Sequence, residues 1–506
     1  MQVKFATALE RQAPALLVGI DGHGNTLSAS LDNALLELLR CAVEVHKFCG
    51  RFTGKFGQSV EVIAPPGSDY RRLIGLCIGA VDAVDHKLLE KFGGAAAARL
   101  GQLGEREAAI DVKGLSESES PHAAAHVAFG AALRNYSYTF ARSRQPEPSE
   151  AVKLLALTMI TSQSVTAEAL YRSISVQIGA IHYARDLINT PPNVLYPDTF
   201  VDLAKSLVDI GIEVEALGPE QLQELGMNAL LAVGRGSAFR PRLLVLRWNG
   251  ANDPTEKPVV FVGKGITFDT GGINLKTTEW MKGMKGDMAG GAAALAAVMS
   301  SAGAKLPINV AAVIPLAENA ISGSAYRPSD VIVAACGISI EIMHTDAEGR
   351  LALIDAIWYA RAKMEAGTIV GIGTITGSGI FGLGRHYAGL YSSDDDLAER
   401  LTQAGDAAAE SLWRLPTSDK YDDDLLSNVA DYLQITPFEF GADGSYLMRL
   451  LRHAAADVPW AQIEMAGLEF TDRDTFTCPK GATGFGSRLL GQFSKDCAHP
   501  SECKEV

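Results

Sequence analysis

At 506 residues the chain is long enough for two or three domains, and its 47% hydrophobic and 21% charged residues are ordinary for a soluble globular protein. The formal net charge of −14 argues against nucleic acid as the main partner, because phosphate binding needs a basic surface. No stretch reaches the roughly eighteen uninterrupted apolar residues of a membrane span, and seven scattered cysteines without a C-x-x-C pair suit free thiols in a reducing cytosol.

The N-terminus, "MQVKFATALERQAPALLVGIDG", mixes charged with apolar residues and is expected to belong to a domain rather than to a secretory signal. "DNALLELLRCAVEVHKF" (32–48) and "PHAAAHVAFGAALRNY" (121–136) carry apolar residues at helical spacing, while "VEVIAPP" (60–66) and "RLIGLCIGAV" (72–81) read as strands. Charge and two prolines at "RSRQPEPSEA" (142–151) suggest a linker. A helix over 166–187 is expected to stop at "NTPPN" (189–193), where two prolines forbid its continuation. Beyond it, "PVVFVG" (258–263), "INVAAVIPLAE" (308–318), "ISIEIM" (338–343), "TIVGIGTITG" (368–377) and "WAQIEMAG" (460–467) are strand candidates. Helical stretches at 289–303 and 350–364 separate some of them, the signature of an α/β domain with a parallel or mixed sheet. Ligands of such sheets sit beyond the carboxyl ends of the strands.

The loops there carry charge. "GKGITFDTGGINLK" (263–276) is glycine-rich, but Lys264 precedes most of its glycines, unlike a G-x-x-x-x-G-K-[ST] phosphate loop. Asp269 lies in that stretch, Asp287 precedes the helix at 289, and Asp346 and Glu348 follow "ISIEIM". Taken singly, each acid reads more readily as a helix cap or a solvated loop residue. Together, four carboxylates at one sheet edge would repel one another unless cations stood between them, and paired divalent ions take such ligands.

Several blocks then act as a group. "VGKGITFDTGGINLK", "MKGMKGDMAGGAAA" and "HTDAEGRL" resemble the signatures of the leucyl (cytosol) aminopeptidase family of two-metal exopeptidases, and "RDLINTPPN", "ENAISGSAYRPSD", "TITG" and "GATGFGSRLL" fit it in the same order. The likeness covers about residues 180–490 and is weak over the first 165. The resemblance implies a smaller N-terminal α/β domain (1–165) and a larger catalytic α/β domain (166–506), whose central mixed sheet is flanked by helices.

It also implies two divalent ions per subunit, Zn²⁺ or Mn²⁺ with Mg²⁺ or Co²⁺ as alternatives. Asp269, Asp346 (with its backbone carbonyl) and Glu348 would hold one, and Lys264, Asp269, Asp287 and Glu348 the other. As a ligand Lys264 must be neutral, and lowering an amine from about 10.4 to below 7 costs roughly 4–5 kcal/mol, which a neighbouring dication can supply. Lys276 and Arg350 match the family's non-ligand catalytic residues, Lys276 stabilising the oxyanion and Arg350 holding a bicarbonate that acts as general base. Met284, Thr374 and Gly377 fall at substrate-binding positions; the adaptable, apolar Met284 favours Leu- or Met-like first residues. Peptide substrates, a cytoplasmic location, a homohexameric assembly and no membrane partner complete what the resemblance implies.

The sequence departs from the family at His344, where asparagine is usual, and mildly at Thr270, where serine is common. "HAAAH" (122–126) places two histidines at i, i+4 without the glutamate or third ligand of a zinc site and reads as structural. Cys497 and Cys503 are expected to be free in a mobile polar tail. The rival reading is a catalytically silent relative serving as a structural or binding protein, against which the retained ligand set argues. DNA binding by the N-terminal domain is disfavoured by the charge.

Overall fold

The computed structural model describes every residue except 9–12, 29, 80–83, 116–119, 142–151, 254, 437–440 and 500–506. The expected linker at 142–151 and Cys503 lie outside the described residues. The chain forms two compact units, one of residues 1–178 with 472–480, the other of residues 179–471 with 481–506.

In the first unit, six strands run in the order Gln2–Ala6, Ala156–Ile160, Glu107–Asp111, Ala15–Asp21, Arg72–Gly79, Ser59–Ile63, parallel except for the last pair. The expected first helix forms as Asn33–Phe48, with the Asp32 carboxylate accepting from Leu35 N at 2.9 Å as its cap. His122 and His126 lie on the helix Pro121–Arg134, where His126 Nδ1 is 3.1 Å from Glu90 Oε1 of the neighbouring helix His86–Gln102.

The second unit is built on a mixed sheet. Its strands run Leu412–Arg414, Ala388–Ser392, Trp460–Glu464, Thr368–Gly373, Val259–Gly263, Asn309–Asn319, Arg242–Asn249, Glu213–Leu217. The middle four are mutually parallel. Along the strand Asn309–Asn319, Val310, Ala312 and Ile314 join one apolar cluster while Ala311 and Val313 join the other. Both faces of the sheet are thus buried, which is why these strands read as continuous apolar runs rather than as alternation.

The helix Ala289–Gly303 covers one face, and its small residues let it come close: a Cβ at Gly290 would stand 2.2 Å from the Ile372 carbonyl. The helix Glu348–Ala362 covers the other face through Leu351, Ile354 and Ile357.

Three expectations change. After Gly263 the chain does not enter a loop; it runs on as the strand Gly265–Asp269, pairing with Leu316–Asn319 where Val259–Gly263 leaves off. "ISIEIM" yields only Ser339–Glu341, which belongs to a separate three-stranded sheet with Val331–Val333 and Tyr432–Leu433. Only Ile340 of these three is buried, unlike a central main-sheet strand such as Val259–Gly263, which is buried throughout. Cys497 lies within the helix Ser487–Ala498 and accepts from Arg400 Nη2 at 2.8 Å, so it is not in a mobile tail.

Candidate metal centre

The five expected ligands reach one place by different routes. Lys264 occupies the single residue between two strands, its N–H donating to the Ile372 carbonyl at 2.9 Å and its carbonyl accepting from Gly291 N at 2.8 Å. Both strand continuity and the neighbouring helix start therefore orient it. Asp269 ends the next strand, Asp287 follows the short 3-10 turn Met284–Gly286, and Glu348 opens the helix Glu348–Ala362. Asp346 arrives from the loop before that helix. Lys264, Asp269, Asp287 and Glu348 are each no more than 5% exposed.

Two lysines interleave with the acids. Lys264 Nζ lies 2.7 Å from Glu348 Oε1, 2.8 Å from Asp287 Oδ1 and 2.7 Å from the Thr374 carbonyl. Lys276 Nζ lies 3.0 Å from Asp269 Oδ2 and 2.5 Å from Asp346 Oδ1. Carboxylate oxygens of Asp269, Asp346 and Glu348 lie within 4.8 Å of one another, the one such grouping among the described residues. Asp287 Oδ2 and Glu348 Oε2 are buried and accept no hydrogen bond. Lone pairs left unpaired in such a setting are costly, so the acid set fits divalent cations.

The electrostatics follow from the crowding. Burial, reinforced for each acid by at least one neighbouring carboxylate, pushes Asp287, Asp346 and Glu348 above the usual carboxylate range against the pull of the lysines. Burial pulls both lysines down, but the surrounding carboxylates overcome it and the net direction is up. Lys276 is therefore held as an ammonium.

The remaining expected residues divide. Thr374 touches the centre twice, through its carbonyl on Lys264 and through Oγ1, which donates to Asp287 Oδ1 at 2.7 Å. Met284 begins the 3-10 turn that ends at Asp287, and Gly377 precedes the helix Ser378–Leu383 beyond the Thr374 loop. The buried Arg350 guanidinium donates from Nη1 to the Gln434 carbonyl at 3.0 Å and from Nη2 to Asp443 Oδ1 at 2.9 Å, while Nε has no partner.

His344 packs at the loop. Its N–H donates to Gln434 Oε1 at 3.2 Å, and its Nδ1 accepts from Asp346 N at 3.2 Å. Burial first and Lys276 second pull its imidazole below the usual value.

Several supporting residues carry no signal in the motif spacing. Glu464 accepts from the N–H groups of Ile375 at 3.0 Å, Thr376 at 2.7 Å and Ala466 at 3.0 Å, fixing the loop that presents the Thr374 carbonyl to Lys264. Gln434 and Asp443 hold Arg350 from the far side of the chain. Of these, only Glu464, a lone acid in "WAQIEMAG", could have hinted at itself, and nothing there named its partners.

Comparison with known proteins adds the following. The model described as "Cytosol aminopeptidase family, catalytic domain" matches residues 182–491, and that described as "Cytosol aminopeptidase family, N-terminal domain" matches 17–145. A "Probable cytosol aminopeptidase" of Ehrlichia ruminantium (strain Gardel) is 36% identical over 483 residues, 94% of each chain. One from Wolbachia pipientis wMel is 37% identical over 443 residues, 87% of this chain and 86% of the relative. Among solved structures, "Bottromycin maturation enzyme BotP in complex with Mn" superposes with a TM-score of 0.82 at 28% identity, covering 96% of this chain and all of that one.

Proposed function

Because the chain belongs to the cytosol aminopeptidase family, we propose that it releases N-terminal residues from peptides with two divalent ions held by Lys264, Asp269, Asp287, Asp346 and Glu348. That it is a peptidase hydrolase follows from the family; the ions, the residue roles and the side-chain preference are the added reading. The observation that carries it is the pair of buried, unpaired oxygens, Asp287 Oδ2 and Glu348 Oε2, beside the acid cluster.

Asp269, Asp346 with its carbonyl, and Glu348 would hold one ion; Lys264, Asp269, Asp287 and Glu348 would hold the other. When bound, such ions supply Lewis acidity, bringing a water towards neutral pKa and polarising the scissile carbonyl. Lys264 joins this set only as a neutral amine. Its carboxylate neighbours outweigh burial and favour the ammonium, so only a dication competing for its one lone pair would displace the proton.

Lys276, kept cationic by Asp269 and Asp346, neutralises the oxyanion that develops on the carbonyl. Arg350, with Nε uncommitted, would hold a bicarbonate, which would supply general-base chemistry beside the ions. Met284, Thr374 and Gly377 border the substrate, and the adaptable, apolar Met284 favours Leu- or Met-like first residues.

Zn²⁺ or Mn²⁺ suits the mixed oxygen and amine donors, with Mg²⁺ or Co²⁺ as alternatives. We extend the reading to a division at 165/166 between N-terminal and catalytic domains, a homohexamer and a cytoplasmic location. No helix among the described residues is long and apolar enough to cross a membrane.

The test is hydrolysis of Leu-p-nitroanilide after exhaustive chelation and after adding back Mn²⁺, Zn²⁺ or Co²⁺, together with matched free and N-acetylated Leu-Gly-Gly. Activity should vanish, return with metal, and spare the acetylated peptide. Full activity in protein shown to be metal-free would sink the two-ion reading. Equal cleavage of the acetylated peptide would sink the exopeptidase reading.

A further inference from the structure

Asn319 ends the strand Asn309–Asn319 and is 1% exposed. Parallel pairing sets it directly opposite Asp269. Its amide nitrogen donates to Asp269 Oδ1 at 2.8 Å and to the Thr345 carbonyl at 3.0 Å. Two oxygen acceptors leave only one sensible orientation for the amide, with both N–H groups used. The backbone carbonyl of Asn319, by contrast, accepts from Thr270 N at 3.0 Å and from Thr270 Oγ1 at 2.8 Å, and the side-chain Oδ1 accepts no hydrogen bond. One side chain thus grips the segment ending in Asp269 and the peptide that leads into Asp346.

Those two segments are joined to each other as well. Thr345 Oγ1 donates to the Gly271 carbonyl at 2.7 Å and accepts from Asn274 N at 2.9 Å, while Thr345 N donates to Asn274 Oδ1 at 2.9 Å. Tyr326 Oη donates to the same Thr345 carbonyl at 2.6 Å. Asn319 is the side chain of this network that reaches a proposed ligand carboxylate, beside the backbone N–H of Gly271.

We infer that Asn319 is a positioning residue for the ion pair, one that fixes which oxygen of Asp269 faces the cations. The inference rests on the two-ion reading above. Asp269 Oδ1 is occupied by Asn319 and by Gly271 N at 2.8 Å, whereas Oδ2 points to Lys276 Nζ at 3.0 Å. A carboxylate without those donors can turn about its Cβ–Cγ bond and present either oxygen. Two donors on one oxygen remove that freedom before any ion arrives. A neutral amide suits this place, because an acid would set a further carboxylate against Asp269. Loss of such an outer partner of a ligand typically lowers metal affinity about 10–100-fold.

The experiment compares wild type with Asn319→Ala, the isosteric Asn319→Asp, and Ser301→Ala. The last removes a buried hydrogen bond, Ser301 Oγ to the Ala297 carbonyl at 2.9 Å, in a helix of the same unit. Mn²⁺ affinity and stoichiometry are measured by competition with a fluorescent chelator, alongside kcat, KM and the melting temperature of the chelated protein. Asn319→Ala should bind Mn²⁺ about 10–100-fold more weakly and lose kcat more than it gains KM, with Asn319→Asp worse, whereas Ser301→Ala leaves affinity unchanged. Wild-type Mn²⁺ affinity in both Asn319 variants, with only the melting temperature lowered, would overturn the inference and leave the two-ion reading standing. A wild type that binds no Mn²⁺ would instead overturn that reading, and this inference with it.

Discussion

Gly349 offers a way to disturb Lys264 without touching any charged group. It is the second residue of the helix Glu348–Ala362, and a Cβ there would stand 2.7 Å from Lys264 Cε and 3.1 Å from Nζ. Carbon atoms need about 3.5 Å or more, so in Gly349→Ala the lysine must retreat by roughly 0.8 Å. The helix cannot easily yield instead, since Leu351, Ala352 and Leu353 are fully buried behind it. Lys264 Nζ is pinned at 2.7–2.8 Å by Glu348, Asp287 and the Thr374 carbonyl. A shift of that size stretches at least one of these contacts beyond hydrogen-bond range.

A charge-assisted bond contributes about 1.5–3 kcal/mol, so the ion that Lys264 helps to hold should bind roughly 10–150-fold more weakly. Stability should hardly change, because Ala in place of a helical Gly gains about 1 kcal/mol and offsets part of the strain. Calorimetric titration with Mn²⁺ and differential scanning calorimetry of the chelated protein read the two quantities separately. Gly179→Ala is the control: it lies in the helix Ser164–Asn189 with nothing within 4 Å of the added carbon, and it should raise the melting temperature without altering Mn²⁺ binding. If Gly349→Ala bound two ions with wild-type affinity and kept full activity, the placement of Lys264 as a ligand would be refuted.

Lys276→Ala should lower kcat by roughly 10²–10³, the usual loss of one oxyanion donor, with metal content unchanged; metal loss comparable to that of Lys264→Ala, read by elemental analysis, would contradict the separate roles. A pH effect is expected away from the centre, at Asp355, whose oxygens accept from Leu230 N at 2.9 Å and Ala335 N at 2.8 Å. Burial raises its carboxyl from 3.8 to about 7 against the pull of these donors, so its contribution to stability is full below about pH 4 and is lost as pH rises to 7. Three units at 1.36 kcal/mol each set an upper scale of about 4 kcal/mol. The non-titrating Asp355→Asn should therefore gain on wild type in melting temperature between pH 4 and pH 7.5, and parallel curves would show that the carboxyl does not titrate in that window.

The chain alone determined what local order can encode. The spacings of 5, 7 and 11 from Lys264 through Asp269 and Lys276 to Asp287 pointed to the family and to the candidate ligand blocks. Apolar runs such as "PVVFVG" marked strands buried on both faces, and "NTPPN" marked the end of a helix that stops at Asn189. What periodicity cannot encode is a partner. "ISIEIM" has a strand's composition, yet only pairing with Val331–Val333 and Tyr432–Leu433 assigned it to a small separate sheet. "GITFD" looked like loop because its glycine and its closing acid hide a strand that exists by pairing with Leu316–Asn319. Asn319, Gln434, Asp443 and Glu464 act across 50, 84, 93 and 89 residues of sequence to hold Asp269, Arg350 and the Thr374 loop. Hydrogen bonds between segments so far apart depend on where the sheet and its two covering helices bring the chain together, and that arrangement is a property of the packed core rather than of any window of residues.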